Sequence, residues 1–217
     1  MYTEAITKHL YRVRIPFEDL TTTVYICVYG QGVILIDSAT YGADVDAYLL
    51  PALSELGVAL TDVKILALTH NHGDHGGGLP RLAECFPKAA VRAMEPLSLA
   101  AYRPLTDGEI LLDGLQVLHL PGHTRRSVGY LDLASKTLLS GDCLQLGGVG
   151  KYRNGIGYPA FYMESIEKLR RMDVERIVAA HEFDPLGSMA EGKAAVTEYL
   201  DTCAEIAQAL IKSETED

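Results

Sequence analysis

Three histidines and one aspartate, His70, His72, Asp74 and His75, stand within six consecutive residues of this chain. The whole chain of 217 residues has only seven histidines, so this local density is unusual. Neutral imidazole is the commonest metal ligand in proteins, and carboxylate is a frequent oxygen ligand beside it. The cluster directly follows the apolar run 63–68, which is typical of a buried strand. The pattern predicts a metal site at a strand end, with a histidine-rich surface turn as the alternative.

Three further candidate ligands also come directly after predicted strands. His123 follows the predicted strand 115–120, Asp142 follows 136–139, and His181 follows 176–180. Because loops at strand ends bring distant parts of a chain together, we expect these side chains to join the histidine cluster. The two remaining histidines do not fit this pattern: His119 lies inside a predicted strand, and His9 is expected at the surface.

The candidate ligands are five imidazoles and two carboxylates, which is more than one tetrahedral ion uses and suits two ions. His70 and His72 are two residues apart, so in an extended segment their side chains point the same way and can bind one ion. Asp74 and His75 follow at a turn and can face a second ion. Asp142 has two carboxylate oxygens and can bridge both.

Taken together, H-x-H-x-D-H, P-G-H-T, S-G-D and a late histidine after a strand resemble the metallo-β-lactamase superfamily, from about Asp37 to His181. The resemblance implies an α/β fold, a four-layer αββα sandwich of two mixed β-sheets flanked by helices. It also implies metal-binding roles: His70, His72 and His123 at the first ion, Asp74, His75 and His181 at the second, and Asp142 between them. Asp74 would in addition act catalytically by carrying a proton. Asp37 would support the ligands from behind, with a turn or capping role as the alternative.

This resemblance implies two divalent metal ions, most simply Zn²⁺. Iron and manganese are alternatives, because imidazole and carboxylate also suit those metals. It implies a hydrolase that uses a metal-activated hydroxide to cleave a small ester, thioester or lactone. One alternative is an iron-dependent oxidoreductase of the same fold, similar to the sulfur dioxygenases. Another is a phosphodiesterase or RNA-processing hydrolase.

The glycine-rich segment 146–158 follows Asp142 and is expected beside the metals. Its G-x-G-K stretch, ending at Lys151, resembles the hydroxyacylglutathione hydrolases (glyoxalase II), as does the late His-Glu-Phe. In that branch the matching lysine helps to hold a carboxylate of a glutathione thioester. Lys151 is therefore the first candidate for substrate binding, with Tyr152 and Arg153 as weaker ones. The alternative is a flexible glycine loop with solvated side chains.

Two features next to the candidate ligands have simpler explanations. Arg125 and Arg126 follow the P-G-H-T motif and could face an anionic group or only solvent. Cys143 adjoins Asp142, and we interpret it as a small buried apolar residue, not as a nucleophile.

Composition and charge favour a single domain covering residues 1–217, with 48% hydrophobic residues. The net charge is -10, from 29 acidic and 19 basic side chains, whereas a nucleic acid partner requires a basic surface. No apolar run approaches the ~20 residues of a membrane span, and no signal peptide is visible. We expect a cytoplasmic protein with a small-molecule substrate and with neither a nucleic acid nor a membrane partner. The sequence leaves open whether the protein forms a homodimer.

Hydrophobic periodicity and turn residues predict the elements. Strands are predicted at 11–15, 23–29, 33–36, 63–68, 89–93, 109–112, 115–120, 127–133, 136–139 and 176–180. Helices are predicted at 43–56, 79–86, 96–102, 161–172 and 190–212.

Overall fold

The computed structural model describes residues 1–145, 155–183 and 186–216, with side chains described as far as 213. The chain divides into two compact units, Met1–Thr106 and Asp107–Asp217. Each unit has its own β-sheet and its own cluster of buried apolar side chains. A single domain over the whole chain stays a prediction.

The first unit contains a mixed sheet whose strands lie in chain order. These strands are β1 (Glu4–Ala5), β2 (Leu10–Phe17), β3 (Leu20–Tyr29), β4 (Gly32–Ile36), β5 (Val63–Ala67), β6 (Ala90–Ala93) and β7 (Tyr102–Pro104). The strands from β1 to β4 pair antiparallel, and those from β4 to β7 pair parallel. The interior strand β4 is a buried apolar run, as expected for a strand covered on both faces, and β5 is buried apart from Lys64.

Helices connect the parallel strands of the first unit, because a parallel pair needs a crossover connection. They are α1 (Gly42–Asp44), a π-helical turn (Val45–Leu49), α2 (Leu50–Glu55), a 3₁₀ turn (Leu60–Asp62), α3 (Gly73–Gly76) and α4 (Leu79–Cys85). Val45, Leu49, Leu53 and Leu82 are at most 1% exposed and belong to the apolar core of this unit.

The second unit contains another mixed sheet, in the spatial order β13-β12-β11-β10-β9-β8. Its strands are β8 (Ile110–Leu111), β9 (Leu115–His119), β10 (Val128–Asp132), β11 (Thr137–Gly141), β12 (Arg176–Phe183) and β13 (Gly187–Glu191). Only β11 and β12 pair parallel; the other described pairs are antiparallel. The long helices α5 (Pro159–Arg170) and α6 (Lys193–Glu216) contribute Tyr162, Ile166, Tyr199 and Cys203 to the core.

Two predicted helices differ from the structure. The helix predicted over 96–102 is wrong: 96–99 have no regular structure, and Tyr102–Pro104 is strand β7, paired with β6. The helix predicted from residue 190 begins at Lys193, because Gly187–Glu191 is strand β13, paired with β12. In both places backbone pairing with a neighbouring strand overrides the local preference for helix.

Within the described part of the chain, no helix combines the length and the apolar character that crossing a membrane would require.

Candidate metal-binding residues

In the first unit, the segment after β5 brings His70 and His72 together. The Nε2 atom of His70 lies 3.0 Å from the Nδ1 atom of His72, with their ring centroids 4.6 Å apart. Two donor atoms held about 2.1 Å from one tetrahedral Zn²⁺ are about 3.4 Å apart. The pair therefore has nearly the spacing of two ligands on a single ion. One ring presents Nε2 and the other presents Nδ1.

Asp74 and His75 lie on the short helix α3 directly after His72. The carboxylate Oδ2 of Asp74 is 3.2 Å from Nε2 of His75. The ring centroids of His75 and His70 are 4.2 Å apart. His75 is fully buried, whereas the Asp74 side chain keeps 12% of its surface exposed. Asp74 is therefore more accessible to solvent than its neighbour His75.

Asp37 lies behind these histidines, just past the end of β4, and is 1% exposed. Its Oδ2 is 2.8 Å from Nδ1 of His75, and its Oδ1 accepts a hydrogen bond of 2.7 Å from the backbone N–H of Thr69. Burial raises the pKa of the Asp37 carboxyl, while the contacts with His75 and Thr69 act in the opposite direction. A carboxylate bonded to the far nitrogen of an imidazole fixes the ring and its tautomer. His75 therefore directs Nε2 away from Asp37.

In the second unit, Asp142 lies between two histidines. Its Oδ2 is 3.5 Å from Nε2 of His123, and its Oδ1 is 3.5 Å from Nε2 of His181. These distances are too long for good hydrogen bonds but agree with the ~3.4 Å separation of ligands on one ion. Each oxygen faces a different histidine, which is the arrangement that a bridging carboxylate requires. Asp142, His123 and His181 are all buried.

His123 is anchored on its outer side in the same way as His75. Its Nδ1 donates a hydrogen bond of 2.6 Å to the carbonyl oxygen of Gly155, which leaves Nε2 directed at Asp142. His181 lies inside β12, because that strand continues to Phe183 beyond the predicted end at 180. The sequence does not reveal the role of Gly155, since a backbone carbonyl has no residue-type signal.

The histidines and the cysteine set aside by the sequence analysis have ordinary contacts. His119 Nε2 donates to the carbonyl oxygen of Arg125 at 3.0 Å, and the ring of His9 packs 5.6 Å from that of Tyr29. Cys143 is buried. Of the two arginines left open, the Arg125 guanidinium lies 4.9 Å from the ring centroid of Tyr158, in a cation–π contact.

The predicted substrate-binding residues Lys151, Tyr152 and Arg153 lie outside the described residues. Their roles stay predictions. Thr69 directly precedes His70, but the motif in the sequence gives it no role. Its hydroxyl lies within 3.1 Å of both Asp37 and the ring of His70.

The family model of the metallo-beta-lactamase superfamily matches residues 18–181 of this chain. The chain belongs to the metallo-beta-lactamase superfamily. The predicted fold class is confirmed, with two mixed β-sheets flanked by helices. The matched range includes every predicted metal ligand from His70 to His181.

Curated relatives confirm the resemblance to the glyoxalase II branch. The chain is 37% identical over 153 residues to a hydroxyacylglutathione hydrolase of Synechococcus sp., covering 62% of this chain and 55% of that protein. It is 33% identical over 139 residues to one from Vibrio cholerae, with 61% and 53% covered. The uncharacterized protein YobT of Bacillus subtilis is 32% identical over 168 residues, with 63% and 70% covered. The chain thus spans about half the length of the curated hydrolases that it matches.

Solved structures of other proteins share the fold. A B3 metallo-beta-lactamase with an active-site glutamic acid matches with a TM-score of 0.75 and 20% identity, covering 100% of this chain and 92% of that one. A flavo di-iron protein mutant of Thermotoga maritima matches at 0.74 and 16%, with 95% and 62% covered. At such identities the likeness extends to the fold and not to the chemistry.

Proposed function

We propose that this protein is a hydrolase that binds two divalent metal ions, most simply Zn²⁺, and cleaves a thioester, ester or lactone. The proposed ligands are those predicted from the sequence: His70, His72, Asp74, His75, His123, Asp142 and His181. The observation that carries the proposal is the anchoring of the imidazoles. His75 and His123 are each held at Nδ1 by an acceptor, so that each directs Nε2 towards a carboxylate.

Two bound ions would supply a hydroxide nucleophile near neutral pH and polarise the carbonyl that is attacked. The proposed role of the chain is to place the ligands and to move the proton. Asp74 suits proton transfer because it is more exposed than Asp142.

Within this class we propose a thioester as the first substrate to test, because the curated relatives are named hydroxyacylglutathione hydrolases. Lys151, helped by Tyr152 and Arg153, would hold an anionic group of that substrate. The cytoplasmic location, a small-molecule substrate with neither a nucleic acid nor a membrane partner, and a homodimer stay predictions.

The central experiment is an assay of the zinc-loaded protein against thioesters, simple esters, lactones, a phosphodiester and a cephalosporin. We expect turnover of at least one acyl substrate, and Asp142→Asn should lower kcat by at least ~100-fold, since even groups behind metal ligands alter activity 10–100-fold. His119→Gln is the matched control, because it changes a histidine of the same unit that we do not assign to the metal. Full turnover in Asp142→Asn would rule out the bridging role.

The phosphodiester in this assay tests one alternative, and metal analysis with an oxygen-uptake measurement tests the other. Preferential cleavage of the phosphodiester would favour the nucleic-acid-processing class. Stoichiometric iron in the purified protein, together with oxygen uptake on addition of a persulfide, would favour the oxidoreductase class and contradict the hydrolase proposal.

A further inference from the structure

We infer that Thr69 is a positioning residue that connects His70 to Asp37, so that one buried carboxylate fixes the ring tautomers of two metal ligands. This inference rests on the proposed metal centre, because it concerns how His70 and His75 present their nitrogens to the ions. In this role Thr69 acts through hydrogen bonds and contacts neither the substrate nor the metal.

The hydroxyl of Thr69 is surrounded by hydrogen-bonding groups. Its Oγ1 lies 2.8 Å and 3.0 Å from the two carboxylate oxygens of Asp37. It lies 3.1 Å from Nδ1 of His70 and 3.4 Å from Nδ1 of His75. Thr69 is 1% exposed, so its hydroxyl must be satisfied by these protein groups.

The single hydroxyl proton of Thr69 determines which groups donate and which accept in the hydrogen bonds that connect His70, Thr69 and Asp37. An ionised carboxylate only accepts hydrogen bonds, and a hydroxyl donates more strongly to a charged acceptor. The Thr69 hydroxyl therefore donates to Asp37, and its oxygen lone pair faces the ring of His70. The Nδ1 of His70 must then carry the proton and donate to Thr69.

In this direction Nε2 of His70 is the unprotonated ring nitrogen, as a metal ligand must be, and it faces His72. His75 reaches the same carboxylate directly, because its Nδ1 is 2.8 Å from Oδ2 of Asp37. Asp37 thus orients His75 without an intermediate and His70 through Thr69. Removing the Thr69 hydroxyl should release only His70, and with it only one of the two ions.

The test compares Thr69→Val with Thr69→Ser in zinc-loaded protein. Valine has nearly the shape of threonine, keeps the backbone N–H that bonds Asp37, and lacks the hydroxyl; serine keeps the hydroxyl. We expect Thr69→Val to weaken the binding of one zinc ion by 10–100-fold, as measured by chelator competition, and to leave the other ion within threefold of wild type. Thr69→Ser should restore both affinities to within threefold.

Thr137→Val is the control for loss of a buried threonine hydroxyl. Thr137 is fully buried in the other unit, where its hydroxyl oxygen accepts a hydrogen bond from Arg176 and lies 2.8 Å from the hydroxyl oxygen of Ser135. It should lower the melting temperature without altering zinc affinity. Wild-type affinity for both ions in Thr69→Val would overturn the inference, and so would an equal loss in Thr69→Val and Thr69→Ser.

A second measurement needs no variant. Long-range ¹H–¹⁵N spectra of the zinc-loaded wild-type protein should show His70 protonated at Nδ1, and an unprotonated Nδ1 would overturn the inference. Failure of the wild-type protein to bind zinc in both experiments would instead refute the proposed function.

Discussion

At the scale of single residues, Asp37 has the least obvious role in the sequence and a central position in the structure. Its backbone φ is +68°, a left-handed conformation that is uncommon for residues other than glycine. In this conformation the Asp37 carboxylate accepts hydrogen bonds from the backbone N–H and the hydroxyl of Thr69 and from the ring of His75. Strain retained at such a position is consistent with a functional requirement.

Replacement of Asp37 by asparagine should weaken zinc binding by 10–100-fold, because an amide places a donor where acceptor oxygens now receive bonds. Unlike Thr69→Val, this change should affect both ions, since both histidines depend on the carboxylate. Chelator competition measures the two affinities.

Asp132→Asn is the control for this prediction. Asp132 is also fully buried and accepts bonds from the backbone and hydroxyl of Ser135, in a turn of the second unit. Its replacement should reduce stability while leaving zinc affinity unchanged. Equal zinc affinities of Asp37→Asn and wild type would contradict the supporting role of Asp37.

At the scale of elements, the position of α3 depends on a close approach between two backbones. A Cβ atom on Gly77 would lie 2.0 Å from the carbonyl oxygen of Thr40, and one on Gly78 would lie 2.1 Å from that of Ser38. The backbone N–H of Ser38 also donates to the carbonyl oxygen of His75 at 2.7 Å. The two glycines therefore allow the segment after β4 to pack against the helix that carries Asp74 and His75.

Gly77→Ala should destabilise the protein by about 2 kcal/mol or more, because the clash involves backbone atoms that cannot move independently. It should also weaken zinc binding, since α3 must shift. Gly73→Ala is the matched control at the opposite end of α3 from Gly77, because its Cβ would meet nothing within 4 Å. Urea unfolding and zinc titration of both variants provide the comparison; similar results for the two would show that the close approach does not matter.

At the scale of the whole molecule, bound metal should contribute measurably to folding stability. A ligand that binds only the folded state stabilises it by RT ln(1 + [L]/Kd), about 4.1 kcal/mol at a thousandfold excess over Kd. We expect the melting temperature of the protein to fall on treatment with a chelator and to return when zinc is added.

This stabilisation by zinc should diminish as the pH falls, because imidazole must be neutral to bind a metal and protons compete with zinc for the ring nitrogens. The measurement is a series of thermal melts with and without zinc between pH 5 and pH 8. A melting temperature that does not respond to zinc at any pH would contradict the proposed centre.

Much of the fold was predictable, because most elements are long enough for their periodicity to be clear. The strands β4, β5, β11 and β12 overlap their predicted ranges and are mostly buried, although β12 continues to Phe183 beyond its predicted end. Strand β13 was not predictable, since Gly-Ser-Met-Ala-Glu has no β-branched or aromatic residue and is a strand only through pairing with β12. Strand β7 is three residues long and pairs with β6 for the same reason.

The sequence by itself indicated the family and predicted the donor set, because histidine and aspartate are chemically distinctive side chains and stand here at short, regular spacings. Only the tertiary structure decided which nitrogen each ring presents, because that choice depends on the acceptor that lies behind the ring. For His75 the acceptor is Asp37, and for His123 it is the backbone carbonyl of Gly155. Both partners are more than thirty positions away in the chain, with separations of 38 and 32 residues, so no local pattern identifies them.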